Sequence, residues 1–266
     1  MSTALRDTAT SSVASGGDYP ITIPADAQVG DIAVFSLQIN NATANISTPP
    51  SGWTKQFGPD PTSTASECFL FTKQLVTGDP GSTVTFSLDG TGTGRGMFQM
   101  DVISGGTLTG AIFGKAIPGS AASSNTVPVL AGVPSGAYVS VHCMARLGSG
   151  TAPTITGPTG YTDDGDTTST VNASGANFTA KTVHKITTSA GSVGGETVSF
   201  SASCVGPVYA VAIPSDVAPP PTRSGKVNYW DGSAWSAHPL KRWDGTAWTT
   251  HAAKGTLDGA TWITGK

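Results

Sequence analysis

Charge is the first thing this chain lacks. Of its 266 residues only 12% are Asp, Glu, Lys or Arg, and the formal net charge is −3. Gripping nucleic acid through phosphates needs a concentrated cationic surface, so no nucleic acid partner is expected. Glutamate is scarcer still: Glu67 and Glu196 stand alone in the sequence, which argues against the paired glutamates of a glycosidase. The three cysteines, Cys68, Cys143 and Cys204, are widely spaced, with no CxxC pair and no even-numbered disulfide framework. Free thiols buried on strands are the expectation. The four histidines (His142, His184, His238, His251) show neither HxH nor HxxxH spacing, so no metal is expected. No run approaches the roughly 20 apolar residues of a membrane helix, and no membrane insertion is expected. Residues 1–15 lack the apolar core and positive cluster of a secretory signal. Windows rich in Glu, Lys, Leu and Ala, which long amphipathic helices need, are missing too.

What remains is a β-former's composition: 34 Gly and 18 Pro punctuate a Thr- and Val-rich background, and an all-β protein follows. Short runs alternate apolar and polar residues, among them 32–39 (IAVFSLQI), 68–75 (CFLFTKQL), 97–103 (MFQMDVI), 138–144 (YVSVHCM), 179–186 (TAKTVHKI) and 208–213 (VYAVAI). Period-two alternation predicts antiparallel strands with one face on a core and the other in water. The middle of the chain echoes its beginning. GDIAVFSLQI, PPSGW at 49–53 and a strand ending in Phe-Ser are followed later by GAYVSVHCMA, GPTGY at 157–161 and another Phe-Ser strand. Two similar units, about 20–118 and 119–216, are expected to build one β-sandwich or jelly roll over 20–216 across a shared core, preceded by an N-terminal arm at 1–19. Two independent small sandwiches are the alternative.

Three consecutive prolines at 219–221 open a different regime, so 217–225 reads as a stiff linker to a tail at 226–266. The tail repeats Tyr-Trp-Asp-Gly-Ser-Ala-Trp (229–235), Arg-Trp-Asp-Gly-Thr-Ala-Trp (242–248) and Thr-Leu-Asp-Gly-Ala-Thr-Trp (256–262). Asp-Gly favours a two-residue type I′ hairpin turn, so a small β-meander of paired aromatics is expected, too small to stand alone. Five of the six tryptophans (Trp230, Trp235, Trp243, Trp248, Trp262) fall within 33 residues. With Trp53 of the PPSGW turn they are the candidate binding or interface residues, because indoles both stack on sugars and line subunit contacts. Other motifs have plainer readings. The Asp residues at 18, 26, 31, 79, 89 and 231 lie in turn contexts; the 90–96 glycine run is a hairpin loop, since no helix follows to receive a phosphate; and 163–166 (DDGD) is a polar turn lacking the downstream glutamate of a calcium loop. Four Asn-x-Ser/Thr sequons, at Asn41, Asn45, Asn172 and Asn177, would count only in a eukaryotic secretory setting. No catalytic constellation and no cofactor motif is present in the sequence, so the chain is expected not to be an enzyme.

The combination GDIAVFSLQI, TPPSGWT at 48–54, FTKQLVTGDPGSTVTFSL at 71–88 and YAVAIPSD at 209–216 resembles a β-sandwich module of phage minor tail and tail-fibre proteins, especially from phages of actinobacteria, also found in some bacterial surface proteins. The resemblance covers about residues 20–216. The tail is similar to the Trp-Asn/Asp-Gly-x-x-Trp segments that close many such tail proteins, with the departure that Leu257 stands where the third repeat would carry its first Trp. The resemblance implies a virion structural protein, assembled in the host cytoplasm, a homo-oligomer (a trimer is common in fibres) in contact with other tail or capsid proteins and with a host cell-surface glycan. Capsid decoration or a head fibre, and a carbohydrate-binding module of a surface protein, are the alternatives.

Overall fold

The computed structural model describes residues 3–63, 66–90, 93–167 and 177–216 of the body, and 226–230, 235–239, 241–243 and 248–250 of the tail. It divides into two compact units, 1–217 and 218–266.

The body is all-β. Its first seven strands are β1 (Ala4–Gly16), β2 (Asp18–Thr22), β3 (Ile32–Ile39), β4 (Thr54–Ser63), β5 (Ser66–Gln74), β6 (Thr83–Ser87) and β7 (Gly94–Ser104). They form a five-stranded antiparallel sheet in the order β1-β7-β3-β5-β4 and a two-stranded ladder, β2-β6. Next come β8 (Ile112–Ala116), β9 (Ala122–Thr126), β10 (Leu130–Val133), β11 (Tyr138–Leu147), β12 (Ile155–Thr156), β13 (Thr162–Thr167), β14 (Asn177–Ile186), β15 (Gly191–Val193), β16 (Thr197–Cys204) and β17 (Val208–Ile213). These give a second five-stranded sheet, β8-β17-β11-β14-β13, with the smaller ladders β12-β16-β9 and β10-β15.

The two large sheets correspond strand for strand, and hydrogen-bond register fixes the residues. Ile32 faces Gln74 and Ile103 on its two neighbours, as Tyr138 faces Ile186 and Ile213. Gly30 and Gly136 precede those positions with φ of 94° and 76°, a left-handed backbone that glycine adopts without strain. Each donates its N–H across a 2.8 Å bond, to the carbonyls of Leu75 and Thr187.

Three apolar layers hold the body together. One lies between the first large sheet and β2-β6, and it is aromatic: Phe35 stacks on Phe86 at 4.2 Å, with Phe69, Phe71, Phe98 and Tyr19 around them. A second lies under the other large sheet and is mostly aliphatic, built from Val139, Val141, Val183, Val198, Val208 and Phe200. The third joins the two large sheets face to face through Ile32, Val34, Leu70, Met97, Tyr138, Phe178, Tyr209 and Val211. Each large sheet therefore has an apolar layer of its own and shares a third with the other. Full burial of each such side chain is worth roughly 1.5–3 kcal/mol.

This stacking corrects four expectations. The strands β3, β11 and β17 are buried on both faces, not on one. Their polar alternates, such as Ser36, Gln38, Ser140 and His142, meet the opposing sheet instead of water. The N-terminal arm is an edge strand, β1, in register with β7 from Ala4↔Ser104 to Gly16↔Gly94. Of the 90–96 glycine run, Gly94, Arg95 and Gly96 already belong to β7, and β6 and β7 lie in different sheets, so the run does not join the two arms of a hairpin. The acidic run at 163–166 belongs to an edge strand, β13, whose register shifts between Asp163 and Asp166.

Candidate functional site

In the tail, β18 (Lys226–Trp230) pairs with β19 (Trp235–Pro239), and β20 (Lys241–Trp243) with β21 (Trp248–Thr250). The register sets Trp230 opposite Trp235 and Trp243 opposite Trp248. Directly opposed aromatics are among the stronger cross-strand pairs, at up to about 1 kcal/mol each. The turns expected at Asp231-Gly232 and Asp244-Gly245 lie outside the described residues. Among the described residues the ladders are separate and do not join into a meander. Trp262 and the 217–225 linker lie outside the described residues.

Trp53 sits elsewhere. It is 5% exposed and packs edge-on against Phe35 and Phe86, at centroid distances of 6.1 and 5.2 Å. The PPSGW turn folds its indole inward as a plug for the first core, so in the folded body its ring offers no face to a partner. The Asp side chains at 31, 79 and 89 do what turns require, accepting backbone N–H bonds from Gln28, Val76 and Ser47 at 2.7–3.0 Å.

Sequence reasoning missed a polar cluster between the two large sheets. Ser36 Oγ lies 2.9 Å from His142 Nδ1, and His142 Nε2 lies 3.5 Å from Asp101 Oδ2. The same carboxylate oxygen accepts a 2.5 Å bond from Ser140 Oγ. Serine, histidine and aspartate within reach of one another are the parts of a nucleophile and base, yet all four side chains are fully buried. Desolvation holds His142 below the ordinary histidine range, with the Asp101 charge opposing that shift. A neutral imidazole bridging two sheets is a strut, and no solvent-accessible atom of the cluster can meet a substrate. Next to it Tyr138 stacks on His184 at 4.8 Å, and His184 Nδ1 contacts the Asp164 carboxylate. Burial, reinforced by Asp101, pushes Asp164 up to about 6, while His184 pulls it back. Toward the β4 side, Asp60 binds Lys115 and accepts a 3.2 Å hydrogen bond from the Tyr209 hydroxyl. The cluster was illegible in the sequence because Ser36 and Asp101, on neighbouring strands of one sheet, meet Ser140 and His142 on the other only through face-to-face stacking.

Among the described residues no group of three or more His, Cys, Asp or Glu is placed to hold a metal ion. Cys68, Cys143 and Cys204 are buried and form no disulfide with one another, and burial pushes Cys143 up to about 12, away from thiolate chemistry. No family model, no curated protein and no solved structure matches the chain.

Proposed function

We propose that this chain is a structural protein of a phage virion, a minor tail or tail-tip/fibre component that self-assembles and contacts the host cell envelope. The observation that carries the reading is the pairing of Trp230 with Trp235 and Trp243 with Trp248 on two short ladders. A two-stranded ribbon has no interior of its own, so a ladder that carries paired tryptophan positions calls for a second surface. Copies of the same chain supply that surface in a closed homo-oligomer. The body suits such a part: its three stacked apolar layers make a stiff scaffold. The virion assignment itself comes from the resemblance of the GDIAVFSLQI, TPPSGWT and Trp-Asp-Gly segments to tail proteins.

Light scattering coupled to size exclusion tests the assembly half of the proposal, comparing the full chain with residues 1–217. An oligomer for the full chain and a monomer for the body support it; the same mass per chain in both refutes a role of the tail in assembly. Immunogold labelling of particles released from the producing host tests the other half, with label on the tail expected and label absent from particles overturning it.

A further inference from the structure

The register correspondence between the halves exposes one place where they are built differently. Counting from the matched positions Gln74 and Ile186, Phe71 corresponds to Val183 and Phe69 to Lys181. Thr54 faces Thr72 as Thr162 faces His184, so Trp53 corresponds to Tyr161 and Lys55 to Asp163. In the first half the three aromatic positions are solid core: Phe69 stacks on Phe71 at 6.0 Å, and Phe71 and Trp53 both pack on Phe86. In the second half the smaller side chains leave a pocket of about 260 Å³, lined by Ile155, Pro158, Tyr161, Asp163, Lys181 and Val183. Gly157 completes the wall, where a Cβ would come within 2.9 Å of Val183.

We propose that this pocket binds a single neutral sugar ring. Its volume lies below the roughly 300–1,000 Å³ of sites for drug-sized ligands, which suits one pyranose. Both nearby amines are already matched: Lys181 Nζ donates to Asp163 at 2.5 Å, and Lys185 Nζ, 4.2 Å above the Tyr161 ring, donates to Glu196 at 2.8 Å. An anion would have to displace Asp163 from Lys181, and a cation would have to displace Lys181 from Asp163. A hydroxyl both donates and accepts, so vicinal hydroxyls bridge the Asp163 oxygens and the ammonium without breaking the pair. Asp163 stands 54% exposed at the mouth and Lys181 only 8% exposed at the floor, which grades the site from solvent inward. Ile155, Pro158 and Val183 offer an apolar wall to the C–H face of the ring, and Tyr161 an aromatic one. The sugar is either free or the terminal unit of a polysaccharide, and the pocket does not depend on the virion assignment or on the tail.

Saturation-transfer-difference NMR on the full chain, with methyl hexopyranosides in one arm and oligosaccharides ending in the same hexoses in the other, tests the site. Signal is expected for at least one hexose at millimolar concentration, and the stronger arm identifies the source. Val183→Phe puts back the ring found at the matched position of the first half, and it is expected to weaken binding at least tenfold. Asp163→Asn, at the exposed mouth, keeps the shape and alters no apolar side chain, and serves if the Phe variant does not fold; it too is expected to weaken binding. Trp243→Ala is expected to leave the signal unchanged. Three results overturn the proposal: no signal from any hexose, undiminished binding in the folded Val183→Phe chain or, should that chain not fold, in Asp163→Asn, or loss of binding in Trp243→Ala, which would move the sugar to the tail.

Discussion

Glutamate 67 offers the sharpest test of the packing described above. It lies on β5, 6% exposed, and Oε2 has no hydrogen-bond partner among the described residues. Burial, and secondarily the charge of Asp60 on the neighbouring strand, push its carboxyl from 4.5 up to about 7. The folded state thus holds this proton more tightly than the unfolded chain does. Stability from Glu67 is fully present below 4.5 and is lost as the pH rises through about 7. At about 1.4 kcal/mol per unit, a rise of this size amounts to about 3 kcal/mol across the whole window. Glu67→Gln keeps the shape and removes the titration. Urea unfolding of both proteins between about pH 5 and about pH 8 should show the variant gaining on the wild type by about 2 kcal/mol as the pH rises. Asp164, also raised, is present in both chains and cancels in the difference. A difference that does not change with pH would refute the claim that Glu67 is buried beside Asp60 without an adequate partner.

Two further substitutions probe the layers. Gln38 is fully buried in the shared layer with neither amide atom hydrogen-bonded among the described residues, so Gln38→Met, which removes both polar groups at similar volume, should raise stability by about 1–2 kcal/mol in the same urea assay. Trp53→Ala empties the plug beneath Phe35 and Phe86 and should cost about 3–5 kcal/mol, seen as a lower unfolding midpoint with the far-ultraviolet strand signal of the folded protein retained.

Particular elements show how far the sequence alone reaches. The runs at 32–39 and 208–213 coincide with β3 and β17 because period-two alternation is a property of the local backbone. The destination of the alternate face is not local. Ser36, Gln38, Ser140 and His142 look like solvent positions in any single strand, and they become buried only because two sheets of similar shape stack on each other. For the same reason Glu67 looks isolated in the chain: Asp60 reaches it across the β4–β5 pairing, where Pro61 lies opposite Glu67 and Asp60 opposite Cys68. The β1 strand was missed because Thr- and Ser-rich edge residues carry little apolar signal, and its pairing with β7 is set by a partner some 90 residues away.

The polar content of the shared layer bears on how the halves cohere. A purely apolar interface would tolerate sliding by two residues along the strands, since the pleat repeats with that period. Ser36 meeting His142, Ser140 meeting Asp101, and the Tyr209 hydroxyl meeting Asp60 are each possible at one offset only. Buried polar groups cost desolvation whether or not they pair, and an unpaired one costs about 1–3 kcal/mol. A two-residue slip would orphan all of these contacts together, a penalty comparable with the whole stability of an ordinary domain. The apolar residues supply the adhesion between the two sheets, and the serines, histidine and aspartates supply their register.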